Sequence, residues 1–246
     1  MSDMTSFVCR FAGVNVEICT AVPEIQDFFR DYLSDGAPDF RVEITAEDRE
    51  KQRVQAEEVA LEELGYVPDF SDVDLELIAV HGKVSDGLAA FGSLLIHGSA
   101  IARDGMAYLF TAPSGTGKST HSRLWRERFG DQVFMVNDDK PFVTVRDGCV
   151  TISGSPWDGK HHLSRNVTVP LKAICLLERG EVNQIERVSA HELLPALLHQ
   201  VYLPEERESK RKAIGLLHTI LQQVPLYRLR CNMEPEAADV SYEGMQ

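Results

Sequence analysis

The chain has 246 residues, and its 25 Lys and Arg against 38 Asp and Glu give a formal net charge of −13. That length fits one large domain or one domain with a smaller partner, and 43% hydrophobic with 26% charged residues excludes extensive disorder. The acidic balance excludes a general binder of nucleic acid or anionic membrane, since phosphate backbones need a basic footprint, but it leaves room for a local anion site of backbone N–H groups.

Five cysteines, Cys9, Cys19, Cys149, Cys175 and Cys231, form no CxxC pair. Neither a disulfide framework nor a structural zinc site is expected from them. The N-terminus carries an acidic Asp3 and an Arg inside its apolar run, unlike a signal peptide, and no apolar run reaches the ~20 residues of a membrane span. These features lead to the expectation of a soluble, cytoplasmic protein.

In chain order, FVCRF and VNVEICT around Ala12-Gly13 read as a β-hairpin. Residues 23–33 read as a helix, residues 40–45 as a strand, and the Glu- and Ala-rich run 46–66 as a solvated helix. These elements make residues 1–72 a small α+β accessory part, and residues 73–246 the main domain. Residues 73–95 are expected to be helical, with SLLIHGSAIA and MAYLFTA as two strands joined by Arg103-Asp104-Gly105. HSRLWRERF follows as a helix, QVFMVNDD as a buried strand, FVTVRDGCVTI as a hairpin around Arg146-Asp147-Gly148, and LKAICLLE as a further strand. Two helical patterns, 190–202 and 207–223, precede the strand LYRLRC; Leu193, Leu197 and Val201 in the first recur every four residues. EERESKRK reads as a solvated helix start.

The second strand of that main domain runs into Ala112-Pro113-Ser114-Gly115-Thr116-Gly117-Lys118-Ser119-Thr120. This fits the P-loop template, with Ala in place of the first Gly. Gly115 and Gly117 allow backbone conformations closed to residues with a Cβ, so successive N–H groups can turn toward phosphate oxygens. The following helix adds its N-terminal dipole. In such a loop Lys118 would reach the β- and γ-phosphates of ATP and the Ser119 hydroxyl would ligate Mg²⁺.

Asn137-Asp138-Asp139 ends the apolar strand 133–136. The 19 residues from Ser119 to Asp138 hold a helix of about three turns and one short strand, which brings the acidic pair out beside the loop, on a neighbouring strand. One carboxylate is expected to hold Mg²⁺ and the other to take a proton from an incoming hydroxyl; spacing does not say which. Further on, GSPWDGKHH makes a shaped loop in which Lys160 offers a cation to a γ-phosphate or an anionic substrate, Trp157 offers an apolar wall, and Arg165 is a weaker candidate. His161 and His162 face opposite ways on an extended chain and lack ligand partners.

Residues 94–142 resemble the catalytic domain of HPr kinase/phosphorylase, of the phosphoenolpyruvate-carboxykinase-like P-loop fold. The likeness rests on His97-Gly98 ahead of the loop, the loop itself, and Asp138-Asp139. It implies an α/β (α+β) P-loop kinase domain in which Pro113–Thr120 hold the nucleotide phosphates, Ser119 and Asp138 hold Mg²⁺, and Asp139 is the base. His97 matches a family histidine near the active site. The family's Glu- and Arg-containing signature has no counterpart in Thr151–Lys160, so phosphorolysis and HPr as substrate are not implied. The likeness is to stand-alone members, whose acceptors include small molecules and ribosomal peptides, and it implies a homo-oligomer.

The resulting expectation is an ATP-dependent kinase with MgATP on the loop and a peptide, protein or small-molecule hydroxyl as acceptor. Neither nucleic acid nor membrane is expected as a partner, and the net charge favours a neutral or basic acceptor. The alternative is a nucleotide-binding regulatory protein without phosphoryl transfer. Carboxykinase-like chemistry lacks the His, Asp and Lys metal set it needs.

Overall fold

The computed structural model describes residues 4–246, and the chain divides into two compact units, Met1–Leu88 and Ala89–Gln246. In the first, β1 (Thr5–Phe11) and β2 (Val14–Thr20) form an antiparallel hairpin. Its turn residues, Ala12 and Gly13, both have positive φ (50° and 81°), which matches the twist of a two-residue turn. The helix expected over residues 23–33 is wound as 3₁₀ turns over Pro23–Tyr32. The tighter winding rises about 2.0 Å per residue against about 1.5 Å, and carries the chain back to a bridge between Leu33 and Cys9. Phe29 from these turns packs on Phe7 and Phe11, with ring centroids 5.8 and 6.1 Å apart.

β3 (Phe40–Glu43) then pairs parallel to β2. α1 (Ala46–Leu64) starts at a reciprocal cap between Thr45 and Asp48 and stops at Gly65, whose φ of 76° suits the helix end. α2 (Asp72–Ala89) buries Glu76 completely, and that carboxylate is met by the Thr20 hydroxyl and by Arg49 at 2.9 Å. A buried carboxylate without such partners would be costly.

The second unit comprises β4 (Ser93–Leu95), β5 (Ser99–Arg103), β6 (Met106–Thr111), α3 (Lys118–Phe129), β7 (Val133–Asn137), β8 (Phe142–Arg146), β9 (Cys149–Ser153), β10 (Thr168–Arg179), β11 (Gln184–Arg187), α4 (Ala190–Leu198), α5 (Arg207–Gln223), β12 (Leu226–Cys231) and α6 (Glu236–Gly244). The strands run in the order β4-β8-β9-β10-β6-β5-β7, with β12 on β10 and β11 on β12. β10 joins the two halves: Thr168–Pro170 pair antiparallel with β9, and from Leu171 onward the strand runs parallel to β6 and then also to β12.

Alternate residues of the central strands enter two cores. Leu109 and Ile174 pack in the core that holds Leu193, Leu197 and Leu217 of α4 and α5. Tyr108, Phe110 and Cys175 pack in the core that holds Leu124 and Trp125 of α3 and Ala237 of α6. Helices on both faces explain why β6 and β10 read as unbroken apolar runs. The unit is a mixed α+β fold.

Three readings change. The expected single strand SLLIHGSAIA splits, with β4 on β8 and β5 between β6 and β7. The break falls at Gly98, where a Cβ would lie 2.8 Å from the Phe110 carbonyl oxygen. The helix expected over 190–202 stops at Leu198, because Val201 bridges Ile96 and Gln200 O accepts from His97 N at 2.6 Å. β7 is not next to β6, since β5 lies between them. The elements β11 and α6 have no counterpart among the sequence expectations. No helix among the described residues is long and apolar enough to cross a membrane, and all five cysteines are free thiols.

Candidate functional site

β6 delivers the glycine-rich loop. Its last residue, Thr111, donates its hydroxyl to the His97 carbonyl at 2.9 Å, fixing the strand end before the chain turns. Gly115 (φ 73°) and Gly117 (φ 123°) take the conformations that the glycine spacing predicts, and α3 begins at Lys118. The Lys118 ammonium folds back over the loop and donates to Ala112 O at 2.8 Å and Pro113 O at 3.4 Å. Burial lowers its pKa, and the negative charges of Asp139 and Asp138 partly offset this. Pro113, Ser114 and Ser119 are exposed, and Thr116 and Thr120 are half-buried. Arg179, at the end of β10, donates to the carbonyl oxygens of Gly115 and Thr116.

The acidic pair lies two strands away, yet at the same end of the sheet. β5 is antiparallel to both β6 and β7, so its first residues meet their last ones. Asp138 is almost fully buried (6% exposed), and its Oδ1 accepts from Ser99 Oγ at 2.7 Å. Ser99 Oγ also hydrogen-bonds Ser122 Oγ, which ties this carboxylate to the second turn of α3.

Asp139 points elsewhere. Its Oδ1 lies 2.9 Å from His97 Nδ1 and its Oδ2 3.2 Å from Lys140 Nζ. Burial alone would raise its pKa, but the His97 hydrogen bond and the Lys140 charge outweigh burial and hold it below the usual value. Asp139 is therefore ionised at neutral pH, with one oxygen on His97 and the other on Lys140.

Asn137 builds the turn that separates the two carboxylates. It is fully buried, and its Oδ1 accepts from Asp139 N at 2.8 Å and Lys140 N at 2.7 Å. Its Nδ2 donates to Ser155 O at 3.0 Å, which fastens the turn to the following loop. Gly98 N donates to Asp139 O at 2.9 Å from the other side.

The loop after β9 covers Asp138. A Cβ on Gly159 would sit 3.1 Å from Asp138 Oδ2, so space beside that oxygen depends on the glycine. Lys160 is exposed and makes no ion pair or hydrogen bond among the described residues. Trp157 is buried, with its ring centroid 6.5 Å from that of Phe142, and Arg165 N donates to Val136 O at 3.1 Å while its guanidinium stacks over Phe134. His162 Nδ1 lies 3.0 Å from Asp158 Oδ1, and no group of three or more His, Cys, Asp or Glu that could hold a metal exists among the described residues.

The fold thus gathers His97, Lys118, Asp138 and Asp139 at one end of the sheet. It leaves Ser119 without a hydrogen bond to Asp138, and Lys160 without a partner among the described residues. Sequence reasoning missed the roles of Ser99, Ser122, Gly159 and Arg179, which no local pattern announces. Asn137 carried a readable signal, an Asx residue immediately before two polar residues at a strand end.

The oxygen donors of Ser119 and Asp138 are the hard type that suits Mg²⁺, and the space that Gly159 leaves beside Asp138 Oδ2 is compatible with such an ion. Two protein oxygens are too few for a resident site, so these residues fit Mg²⁺ that arrives with phosphates.

The model of the family described as SynChlorMet cassette protein ScmC matches residues 67–236, more than two thirds of the chain, and the chain belongs to that family. That assignment is to ScmC, not to the HPr kinases that residues 94–142 resemble. No curated protein matches. Among solved structures, the HPr(Ser) kinase/phosphatase from Coxiella burnetii matches with a TM-score of 0.37 and 10% identity, over 61% of this chain and 94% of that chain. At that distance no property passes from one protein to the other.

Proposed function

We propose that the second unit is an ATP-dependent phosphotransferase acting on a hydroxyl. The nucleotide's phosphates would lie on residues 113–120, with Lys118 released from the Ala112 and Pro113 carbonyls to reach the β- and γ-phosphates. Ser119 and Asp138 would hold Mg²⁺, which neutralises charge on the transferring group when bound. Asp139 would accept the proton of the acceptor hydroxyl, and His97 would orient it.

One observation carries this reading. A glycine loop with a buried lysine and a pair of differently held carboxylates meet at one end of one sheet, Asp138 fixed by Ser99 and Asp139 by His97. A loop alone would argue only for anion binding. The second reading, a nucleotide-responsive protein without transfer, rests on Thr151–Lys160 lacking the Glu- and Arg-containing stretch of the family that residues 94–142 resemble.

Incubation with γ-labelled ATP, Mg²⁺ and a panel of Ser/Thr peptides and hydroxyl metabolites separates the two. Label in a product other than inorganic phosphate, lost in Lys118→Ala, is the expected outcome. ATP binding with no labelled acceptor across the panel would favour the regulatory reading.

A further inference from the structure

The first unit carries an apolar groove that its own fold leaves open. The face of α1 from Gln52 to Leu64, the stretch from Pro68 to Phe70 and Ile78 of α2 line a space of about 400 Å³. Val59, Leu64 and Ile78 line it while 52%, 56% and 40% exposed, and Leu61, Tyr66 and Val67 are exposed close by in sequence. Apolar side chains scattered singly over a surface need no explanation. Six within the twenty residues from Val59 to Ile78, three of them lining one groove, mark an interaction surface.

The charge around the groove has one sign. From Val54 to Val80 the sequence holds eight Asp and Glu and no Lys, Arg or His. Glu76 is the buried partner of Arg49, and Asp72 pairs at 3.4 Å with Arg53, the last cation of α1. Glu57, Glu58, Glu62 and Asp69 have no ion pair among the described residues. α1 has no basic residue in its last turn, so the negative end of the helix dipole adds to this acidic field. Acids at that end of a helix and apolar side chains in water both work against stability, and a segment that breaks such local rules marks a place where binding compensates.

We propose that the groove docks a basic amphipathic helix of a protein partner, with the partner's apolar stripe on Val59, Leu64 and Ile78 and its Lys and Arg facing Glu58, Glu62 and Asp69. The length fits: from Gln52 to Leu64, α1 rises about 18 Å, or about three turns of such a helix. A second copy meeting this surface across a two-fold axis would set acid against acid, and an anionic membrane is repelled in the same way. The surface lies in the first unit and does not depend on the phosphate-loop reading.

The test follows, by fluorescence anisotropy, the full chain binding a labelled synthetic peptide of about 15 residues, with Leu at i, i+3, i+4 and i+7 spacing and Lys or Arg elsewhere. The controls are the same composition scrambled, and the same Leu stripe with Glu in place of Lys and Arg. Expected is binding of the basic amphipathic peptide at least about tenfold tighter than of either control. Val59→Ser combined with Leu64→Ser, at positions too exposed to govern folding, should weaken it by about tenfold or more. Glu58→Gln combined with Glu62→Gln should weaken it by about threefold or more and flatten its salt dependence, with the urea midpoint unchanged or higher. Equal binding of the scrambled peptide would reduce the effect to general attraction by an acidic chain, and overturn the proposal. Unchanged binding in the Val59→Ser, Leu64→Ser variant, or no binding of the basic peptide at all, would overturn it too. Self-association of the chain that those two substitutions abolish would give the groove to a second copy instead.

Discussion

The glycine loop and the acidic turn sit at the same end of one sheet, but they are built in opposite ways. The loop is shaped by its own backbone: Gly115 and Gly117 take positive φ, a Cβ on either would meet nothing, and the flanking Pro113, Ser114 and Ser119 are exposed. The acidic turn is shaped by others. Asn137, Asp138 and Asp139 draw on Ser99, His97, Ser155 and Gly159, contributed by β5, by the segment just before it and by the loop after β9. The loop keeps Ser114 and Ser119 exposed while its carbonyls are held by Lys118 and Arg179, whereas the turn's two carboxylates are each held by side chains from outside it.

The largest expected effect breaks the turn and spares the loop. Asn137→Ala removes the acceptor for two backbone N–H groups and the donor to Ser155 O, and should cost about 2–4 kcal/mol in urea unfolding. Ser114→Ala in the exposed loop should cost under about 0.5 kcal/mol. Equal costs would mean that the two regions do not differ in the way described.

A smaller effect concerns the helix that carries the loop. His121 of α3 is buried among Phe110 and α6, and burial pushes its pKa from 6.5 down to about 3. Ser241 Oγ donates to Ala238 O and accepts from Trp125 Nε1, so His121 Nε2 is the donor to Ser241 and the ring is neutral. The unfolded chain takes up a proton here below about pH 6.5 and the folded chain does not until about pH 3. This contribution is therefore complete above the unfolded value and is lost as pH falls through that window. Between pH 7 and 5.5 the wild type should lose about 1 kcal/mol more stability than His121→Phe, measured by urea unfolding at both pH values. Parallel losses would show that His121 does not titrate on unfolding.

The contrast between loop and turn also governs how much the sequence revealed. The loop was legible because its requirement is local: glycines at positions where only glycine turns freely. The hairpin turns were legible for the same reason, with Asp104-Gly105 and Asp147-Gly148 both at positive φ. The insertion of β5 between β6 and β7 was not. SLLIHGSAIA is apolar throughout, and the cause of its break is the Phe110 backbone of another strand lying against Gly98. Ser99 and Gly159 escaped notice for the same reason, since a buried serine or a loop glycine acquires its role only from what the fold sets beside it. His97 and Asp139 could be listed as candidates, but their 2.9 Å contact exists only because β5 runs antiparallel between the two strands.

The central claim is that Asp139 serves the acceptor and not the nucleotide. It is tested most directly by comparing ATP affinity and γ-phosphoryl transfer in the wild type and in Asp139→Asn. ATP affinity is expected to stay within about threefold, while transfer falls by about 10²-fold or more, the usual worth of a general base. Full transfer activity in Asp139→Asn would contradict it.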